Sequence, residues 1–384
     1  MRFEFSTATR IILGRGTVKE LAPAAKSFGA RALVVTGRSG LRFAGVIGHL
    51  EEEGVSASDF HVSGEPTVEV IKSGLEQARA EHCDLVISLG GGSVIDSGKA
   101  IAGLLPNPGE IYDYLEVVGV GKPLTHPSLP YIAIPTTAGT GSEVTKNAVL
   151  TVADQRVKVS LRSPWMLPRL AIVDPELAYN LPPQITAASG LDALTQLIEP
   201  FLSNASNPIT DAICREGMHY ISRSLMPAYE HGDDPHTRED MAIASLFGGM
   251  ALANAKLGAV HGLAGPIGGM FPAPHGAVCA RLLPLVVEMN LKAMRERAAQ
   301  SSTLDRFIEM SRILLGDRDA HAEDGIKWLH ELCMALKIPP LATYGVTRSD
   351  YPEIISQAKR SSSMKGNPVE LKEDELFRIL ELAL

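Results

Sequence analysis

The stretch from Leu85 to Lys99, Leu-Val-Ile-Ser-Leu-Gly-Gly-Gly-Ser-Val-Ile-Asp-Ser-Gly-Lys, narrows the possible folds more than any other part of the chain. It opens as the short apolar run of a buried strand. Three consecutive glycines interrupt it, and apolar residues then recur at helical spacing through Val94, Ile101 and Leu104. Strand, glycine turn and helix in that order bring unpaired amides and the positive end of a helix to one point, where a phosphate group fits. Glycine lets the backbone approach a ligand with no side chain between them, and it makes a positive φ free of cost. Asp96 and Lys99 fall in the first turns of the helix, on the side expected to face the ligand. The residue order matches neither G-x-G-x-x-G nor the P-loop G-x-x-x-x-G-K-[ST], because Ala100 follows Gly98-Lys99. The loop points to a phosphate-bearing ligand without naming it, and the same glycines also suit a tight strand-to-helix connection.

Around this stretch strand and helix patterns alternate. Phe3–Leu13 reads as one or two strands, Val18–Ser27 as a helix and Ala32–Thr36 as a buried strand ended by Gly37. A helix is expected near Leu41–Glu53, a strand near Ala57–Val62 and a helix over Thr67–Glu81. Such alternation predicts a parallel sheet covered by helices on both faces, with ligands at the carboxyl ends of the strands. A second apolar strand, Tyr131–Ile134, runs into Pro135-Thr136-Thr137-Ala138-Gly139-Thr140-Gly141-Ser142-Glu143, a loop dense in hydroxyls and glycines. Two such loops, each directly after a buried strand, favour a ligand over a mere turn. Beyond Ala171–Pro175 the pattern changes. Pro182-Pro183 marks a break, and nine helices are expected after it: Ala187–Ser203, Pro208–Ser224, Arg238–Leu257, Leu263–Gly268, Ala277–Met289, Leu304–Leu315, Ala322–Leu336, Asp350–Lys359 and Glu373–Leu382. The expected division is an α/β domain over residues 1–180 and an all-α domain over residues 181–384.

Composition excludes several classes. The net charge of −8 comes with no basic stripe, which argues against a nucleic-acid partner. The most apolar long stretch, Gly248–Phe271, is interrupted by Asn254, Lys256, His261 and Pro266, so no membrane span is expected. Cys83, Cys214, Cys279 and Cys333 form no C-x-x-C pair and read as free thiols of a reducing compartment. Residues 1–16 lack the apolar core of a signal peptide, which leads to the expectation of a cytoplasmic protein.

A second constellation lies in the helical half. Asp192 and Gln196 are four apart on one expected helix, with Glu199 near the same face. His261 follows Gly258, and His275-Gly276 opens another helix after a Phe-Pro-Ala-Pro turn. One carboxylate and two imidazoles from three helices suit a divalent metal such as Zn²⁺ or Fe²⁺, which acts as a Lewis acid on a carbonyl oxygen. Spacing alone also allows Asp192 to be a helix cap and the histidines to be structural.

The two halves together resemble the iron-containing (group III) alcohol dehydrogenase family, which includes glycerol dehydrogenase-like and maleylacetate reductase-like enzymes. The carrying residues are Gly90–Ser93 with Asp96 and Lys99, Pro135–Glu143, Gly190-Leu191-Asp192-Ala193-Leu194-Thr195, Asn207–Asp211, and His261 with His275-Gly276. The resemblance implies a dehydroquinate synthase-like fold: an N-terminal nucleotide-binding α/β domain and a helical C-terminal domain. It implies a dinucleotide, NAD(P), whose pyrophosphate meets Gly90, Gly91, Gly92 and Ser93 with Asp96 beside them, and whose remaining contacts fall on Thr136, Thr137, Ser142 and Lys158. It implies a metal, Fe²⁺ or Zn²⁺, on Asp192, His261 and His275, with Gln196 where the family usually has a fourth ligand, His. It also implies a homo-oligomer, a dimer or larger.

Gln196 is one of three departures from the family pattern. The second is Gly265, where many members carry a His thought to help the proton path. The third is Gly37, followed by Arg38 and Ser39, where many members have an Asp that holds the ribose 2′-hydroxyl. Without that carboxylate a 2′-phosphate is not repelled, and Arg38 is placed to pair with it, so NADP(H) is expected to be accepted or preferred. The expected activity is interconversion of a small alcohol with its aldehyde or ketone, with Asp192, His261 and His275 as the catalytic set. The small apolar residues Ala251, Leu252, Leu257 and Phe271 suit a small substrate better than a polyol. Three alternatives stand beside it: a metal-independent reductase nearer the maleylacetate reductases, a dehydroquinate synthase-like lyase, and a non-catalytic nucleotide-binding protein.

Overall fold

Apolar runs of four to six residues, bounded by glycine, proline or charge, account for the four central strands of the sheet. The computed structural model describes residues 2–37, 44–179 and 181–384. It divides into an α/β unit, made of the described residues of Thr7–Thr137 with Gly141–Tyr179, and a helical unit made of residues 2–6, 138–140 and 181–384.

The α/β unit contains β1 (Ile11–Leu13), β2 (Arg31–Thr36), β3 (Ser56–His61), β4 (Leu85–Gly90), β5 (Tyr131–Pro135), β6 (Asn147–Val152), β7 (Val157–Arg162) and β8 (Leu170–Val173). Its helices are α1 (Leu21–Lys26), α2 (Ala44–Glu52), α3 (Val68–Ala80), α4 (Gly92–Leu104) and α5 (Ile111–Tyr114). Six strands form one parallel sheet in the order β1-β8-β5-β4-β2-β3. Helices cover both faces, so β4 is buried along its whole length, which is why its sequence is a continuous apolar run. Leu85, Ile87 and Leu89 join a core with Leu21 and Leu50, whereas Val86 joins Leu75, Val94 and Ile101 on the opposite face. The chain leaves β2 toward the sheet edge at β3 and returns to β4 on the other side of β2. The carboxyl ends of β2 and β4 therefore flank the point where strand order reverses, the usual ligand position in such sheets. Gly37 and the three glycines lie at that point, since Thr36 pairs with Leu89.

Four expectations need correction or limits. The antiparallel hairpin β6–β7 was not anticipated, although Ala148, Leu150 and Val152 alternate inward against Val159 and Leu161. Only Ile11–Leu13 of the N-terminal segment is a strand; the Ser6 backbone instead pairs with the Asn254 side-chain amide in the helical unit. The helix over Val18–Ser27 is a 3₁₀ turn, Thr17–Glu20, followed by the short α1. The helix near Leu41–Glu53 begins outside the described residues, and its described part is α2.

The helical unit contains α6 (Pro183–Leu202), α7 (Pro208–Glu230), α8 (Pro235–Asn254), α9 (Ala259–Met270), α10 (His275–Arg297), α11 (Thr303–Leu315), α12 (Ala322–Ala335), α13 (Tyr351–Arg360) and α14 (Glu373–Ala383). All nine expected helices are present. A proline at the first position starts α6, α7 and α8; α7 begins at Pro208 as expected, whereas α6 and α8 begin three to four residues earlier than expected. From Gly190 to Leu202 α6 is buried on every side, packed against α7, α8 and α10. Its polar residues Asp192, Gln196 and Glu199 therefore lie inside the unit. No single described helix is long and apolar enough to cross a membrane; α8 and α9 qualify by composition only as a pair, and they are bent 96° apart.

Candidate functional site

The glycine loop is built by backbone. Gly91 is the N-cap of α4, and no side chain caps that end. By helix geometry the first amides of α4 have no intrahelical acceptor, which leaves an anion-binding end at the strand terminus. None of Gly90, Gly91 and Gly92 adopts a positive φ. The glycine at position 90 is required for close approach instead: a Cβ there would stand 2.6 Å from the Cβ of Val94, against the first turn of the helix. Thr136 and Thr137 follow β5 directly beside this turn. The Thr136 amide donates to the Gly90 carbonyl at 2.9 Å, and a Cβ on Gly91 would lie 3.5 Å from Thr137.

The charged residues of α4 are engaged elsewhere. Lys99 does not face a ligand: it is fully buried, and its ammonium donates to Ser142 O, Ser142 Oγ, Thr145 Oγ1 and Asn147 O at 2.7–2.9 Å. Burial pulls its pKa below the ordinary value, although Asp96 and Glu143 push the other way. Asp96 accepts from the Ser142 hydroxyl and from the Val149 amide. Lys99, Asp96 and Ser142 thus form a brace that fixes the loop after β5 onto α4. Lys158, on β7, is paired with Glu65 at 3.0 Å. Among the described residues, a Cβ on Gly37 would come within 4 Å of Val94 alone, at 3.5 Å. Arg38, the expected 2′-phosphate partner, lies outside the described residues.

The second constellation is built by side chains. Asp192 of α6, His261 in the first turn of α9, and His275 and Cys279 of α10 converge, with one ligand atom from each lying within 4.8 Å of the others. His261 Nε2 is 3.5 Å and His275 Nε2 3.8 Å from Asp192 Oδ1, and Cys279 Sγ is 3.6 Å from His275 Nε2. Gly276 permits this closeness, because a Cβ there would stand 2.6 Å from the Ala188 carbonyl of α6. Glu199 sets the orientation of His261. One of its oxygens accepts from the Val260 amide at 2.7 Å, and the other lies 2.6 Å from His261 Nδ1. The Nδ1 proton is thereby committed to Glu199, and Nε2 is aimed at the cluster.

Electrostatics inside the cluster are strong. Burial opposes charge on His261, yet Cys279 and the carboxylates of Asp192 and Glu199 lift its pKa well above the ordinary range. Burial likewise opposes the Asp192 carboxylate, but His261 and His275 hold its pKa below the usual value. Burial pushes the Cys279 thiol up to about 12. Asp192 Oδ1 and Gln196 Oε1 are buried without a hydrogen-bond partner. Gln196 Nε2 donates to Asp192 Oδ2 at 3.2 Å. A buried carboxylate oxygen without a donor is costly, and a cation among two imidazoles and a thiol relieves it. In tetrahedral coordination by such groups the ligand atoms lie about 3.3–3.6 Å apart, close to the spacings found. The donor set therefore fits a divalent metal. Three of the four residues are buried, and His275, one-third exposed, is the open side.

Sequence reasoning anticipated Asp192, His261 and His275 but not Cys279. The signal was available, because Cys279 stands four residues after His275 on the same helix and so shares its face.

Comparison with known proteins places both regions in a common context. Residues 8–175 match the family described as iron-containing alcohol dehydrogenase, and residues 186–384 match the C-terminal domain of the same family. The NAD-dependent methanol dehydrogenase of Bacillus methanolicus is 33% identical over 380 residues, covering 97% of each chain. The NADPH-dependent butanol dehydrogenase of Clostridium saccharobutylicum is 32% identical over 393 residues, covering 98% of this chain and 97% of the relative. A crystal structure of 1,3-propanediol oxidoreductase superimposes with a TM-score of 0.92 at 33% identity, covering all of both chains.

Proposed function

The chain belongs to the iron-containing alcohol dehydrogenase family, and from that premise we propose that it is an NAD(P)-dependent oxidoreductase interconverting a small alcohol and its aldehyde or ketone. The observation that carries this reading is the convergence of Asp192, His261 and His275, with Asp192 Oδ1 buried and unpartnered. These three residues would hold Fe²⁺ or Zn²⁺, which supplies Lewis acidity toward the reacting oxygen when bound. Glu199 keeps His261 in the tautomer that presents Nε2, and Asp192 contributes the negative charge that makes the site a cation site. Gly90–Ser93 would bind the dinucleotide pyrophosphate through backbone amides, with Thr136 and Thr137 beside them. Asp96 and Ser142 shape that loop through their own hydrogen bond, and Lys158, paired with Glu65, would contact the cofactor further along. A division of labour at about residue 181 follows, with cofactor binding before it and metal and substrate binding after it.

At Gly265, one turn after His261, a Cβ would meet no heavy atom of the described residues within 4 Å. No imidazole stands at that position to carry a proton, so His261 and His275 would have no further ring behind them and the proton would pass to solvent. Gly37 offers no carboxylate at the end of β2 to repel a 2′-phosphate, and relatives named for NAD and for NADPH both exist. NADPH should therefore give kcat/KM at least equal to that of NADH; a tenfold advantage for NADH would refute this. A reducing, cytoplasmic setting suits four free buried cysteines, and a homo-oligomer is carried over from the family resemblance.

The direct test is replacement of His261 or His275 by Ala. Turnover of short aldehydes should fall by about a thousandfold or more, the scale of a lost metal contribution, while dinucleotide affinity stays unchanged. Unaltered turnover in both variants would overturn the assignment.

A further inference from the structure

Gln196 occupies the position from which the resemblance implies a histidine ligand, which leaves the metal one nitrogen short. We propose that Cys279, as a thiolate, completes the metal's protein ligand set in place of Gln196. The inference rests on the metal reading given above and deepens it by naming the fourth donor.

Three observations carry it. First, Cys279 Sγ lies 3.6 Å from His275 Nε2, and both residues belong to α10, one turn apart. A sulfur at about 2.3 Å and a nitrogen at about 2.0–2.1 Å from one tetrahedral ion are separated by about 3.6 Å. Second, the amide group of Gln196 is already committed in the orientation its chemistry demands. A carboxylate can only accept, so the Nε2 of Gln196 faces Asp192 Oδ2, at 3.2 Å. Asp192 is thereby held with Oδ1 turned to His261 and His275, which makes Gln196 a positioning residue. Its own oxygen lies beside α8, 3.5 Å from where a Cβ on Gly248 would stand. Third, Asp192 Oδ1 is buried without a hydrogen-bond partner and faces the imidazoles, so the cluster presents an unsatisfied negative charge beside three further metal-ligating groups.

The chemistry balances without a co-reactant. The thiol proton leaves to solvent as the metal binds, and the metal charge compensates the buried thiolate. Exchanging an amide for a thiolate makes the donor set softer. Zn²⁺ is then favoured over Fe²⁺, and its lack of a fixed geometry leaves room for a fifth donor. The same thiolate gives the site a sensitivity to oxidants that an all-nitrogen and oxygen set lacks.

X-ray absorption at the zinc edge of the full-length protein loaded with one equivalent of Zn²⁺ tests this without any substitution. One sulfur neighbour at about 2.3 Å beside nitrogen and oxygen neighbours at about 2.0–2.1 Å is expected. A shell of nitrogen and oxygen alone would overturn the proposal and leave the metal reading intact. Failure of the protein to retain Zn²⁺ would overturn both. The Cys279→Ser variant should lose the sulfur neighbour, and the Cys279→Ser, Gln196→His double variant should regain metal retention with nitrogen and oxygen neighbours only. A sulfur neighbour that persists in Cys279→Ser would assign the thiolate elsewhere and sink the proposal.

Discussion

Lys99 and Asp192 are both buried ionisable side chains on helices of this molecule, and they are satisfied in opposite ways. The Lys99 ammonium has four oxygens within 2.9 Å, all from the loop it braces and the first residue of β6. Asp192 has one oxygen on Gln196 and the other buried with no hydrogen-bond donor, facing two imidazoles. A saturated buried charge is architecture. An unsaturated one, surrounded by imidazoles and a thiol, is a site arranged for a cation. The same contrast separates the two candidate regions. The cofactor loop is made from backbone amides and the absence of side chains, and the helical cluster is made from four particular side chains on three helices.

The largest expected effect that probes this contrast is on stability. Replacing Lys99 by Met strips the brace of its cation and leaves buried acceptors unpaired, which should cost about 3–5 kcal/mol by chemical denaturation. Metal bound per folded chain should not change. A Lys99→Met protein as stable as the parent, or one depleted of metal, would erase the distinction.

Next in size is a pH effect in the same unit. Burial raises the Glu143 carboxyl to about 7, only partly offset by its own backbone hydrogen bond and by Lys99. The folded chain thus holds a proton that the unfolded chain releases near 4.5, so stability should fall as pH rises from about 4.5 to 7. The full span is roughly 3 kcal/mol at 1.36 kcal/mol per unit. A Glu143→Gln variant should flatten that slope in a series of denaturation curves. An unchanged slope would remove Glu143 from the account.

The smallest effect belongs to the helical unit. Glu199→Gln keeps the shape but weakens the hold on His261 Nδ1, and metal affinity should fall about 10–100-fold in a competition titration. Undiminished affinity would mean that His261 is oriented by packing alone.

What was legible in the sequence follows the same division. The β4 to α4 connection could be read directly, since a backbone-built site leaves its mark in the residues that must be missing. The reason assigned to its glycines was incomplete, because Gly90 avoids a clash with Val94 and does not supply a positive φ. Lys99 was expected to face a ligand. Charge is visible in a sequence, but the four oxygens that consume it come from 43 to 48 residues away. The β6–β7 hairpin went unread because its outward residues Asn147 and Thr151 give it a weaker pattern than the continuous apolar runs of the parallel sheet. In the helical half, Asp192, His261 and His275 were singled out before any geometry was known. Cys279 reads in the sequence only as one of four free thiols, because its approach to Asp192 and His261 depends on how α6, α9 and α10 pack.

The account stands most directly on whether turnover needs a metal. Protein purified without chelator should contain about one Zn²⁺ or Fe²⁺ per chain. It should lose reduction of short aldehydes by NAD(P)H on exhaustive chelation, and regain it when Zn²⁺ or Fe²⁺ alone is returned. Full activity in protein shown to be free of metal would contradict the account and identify a metal-independent reductase of the same fold.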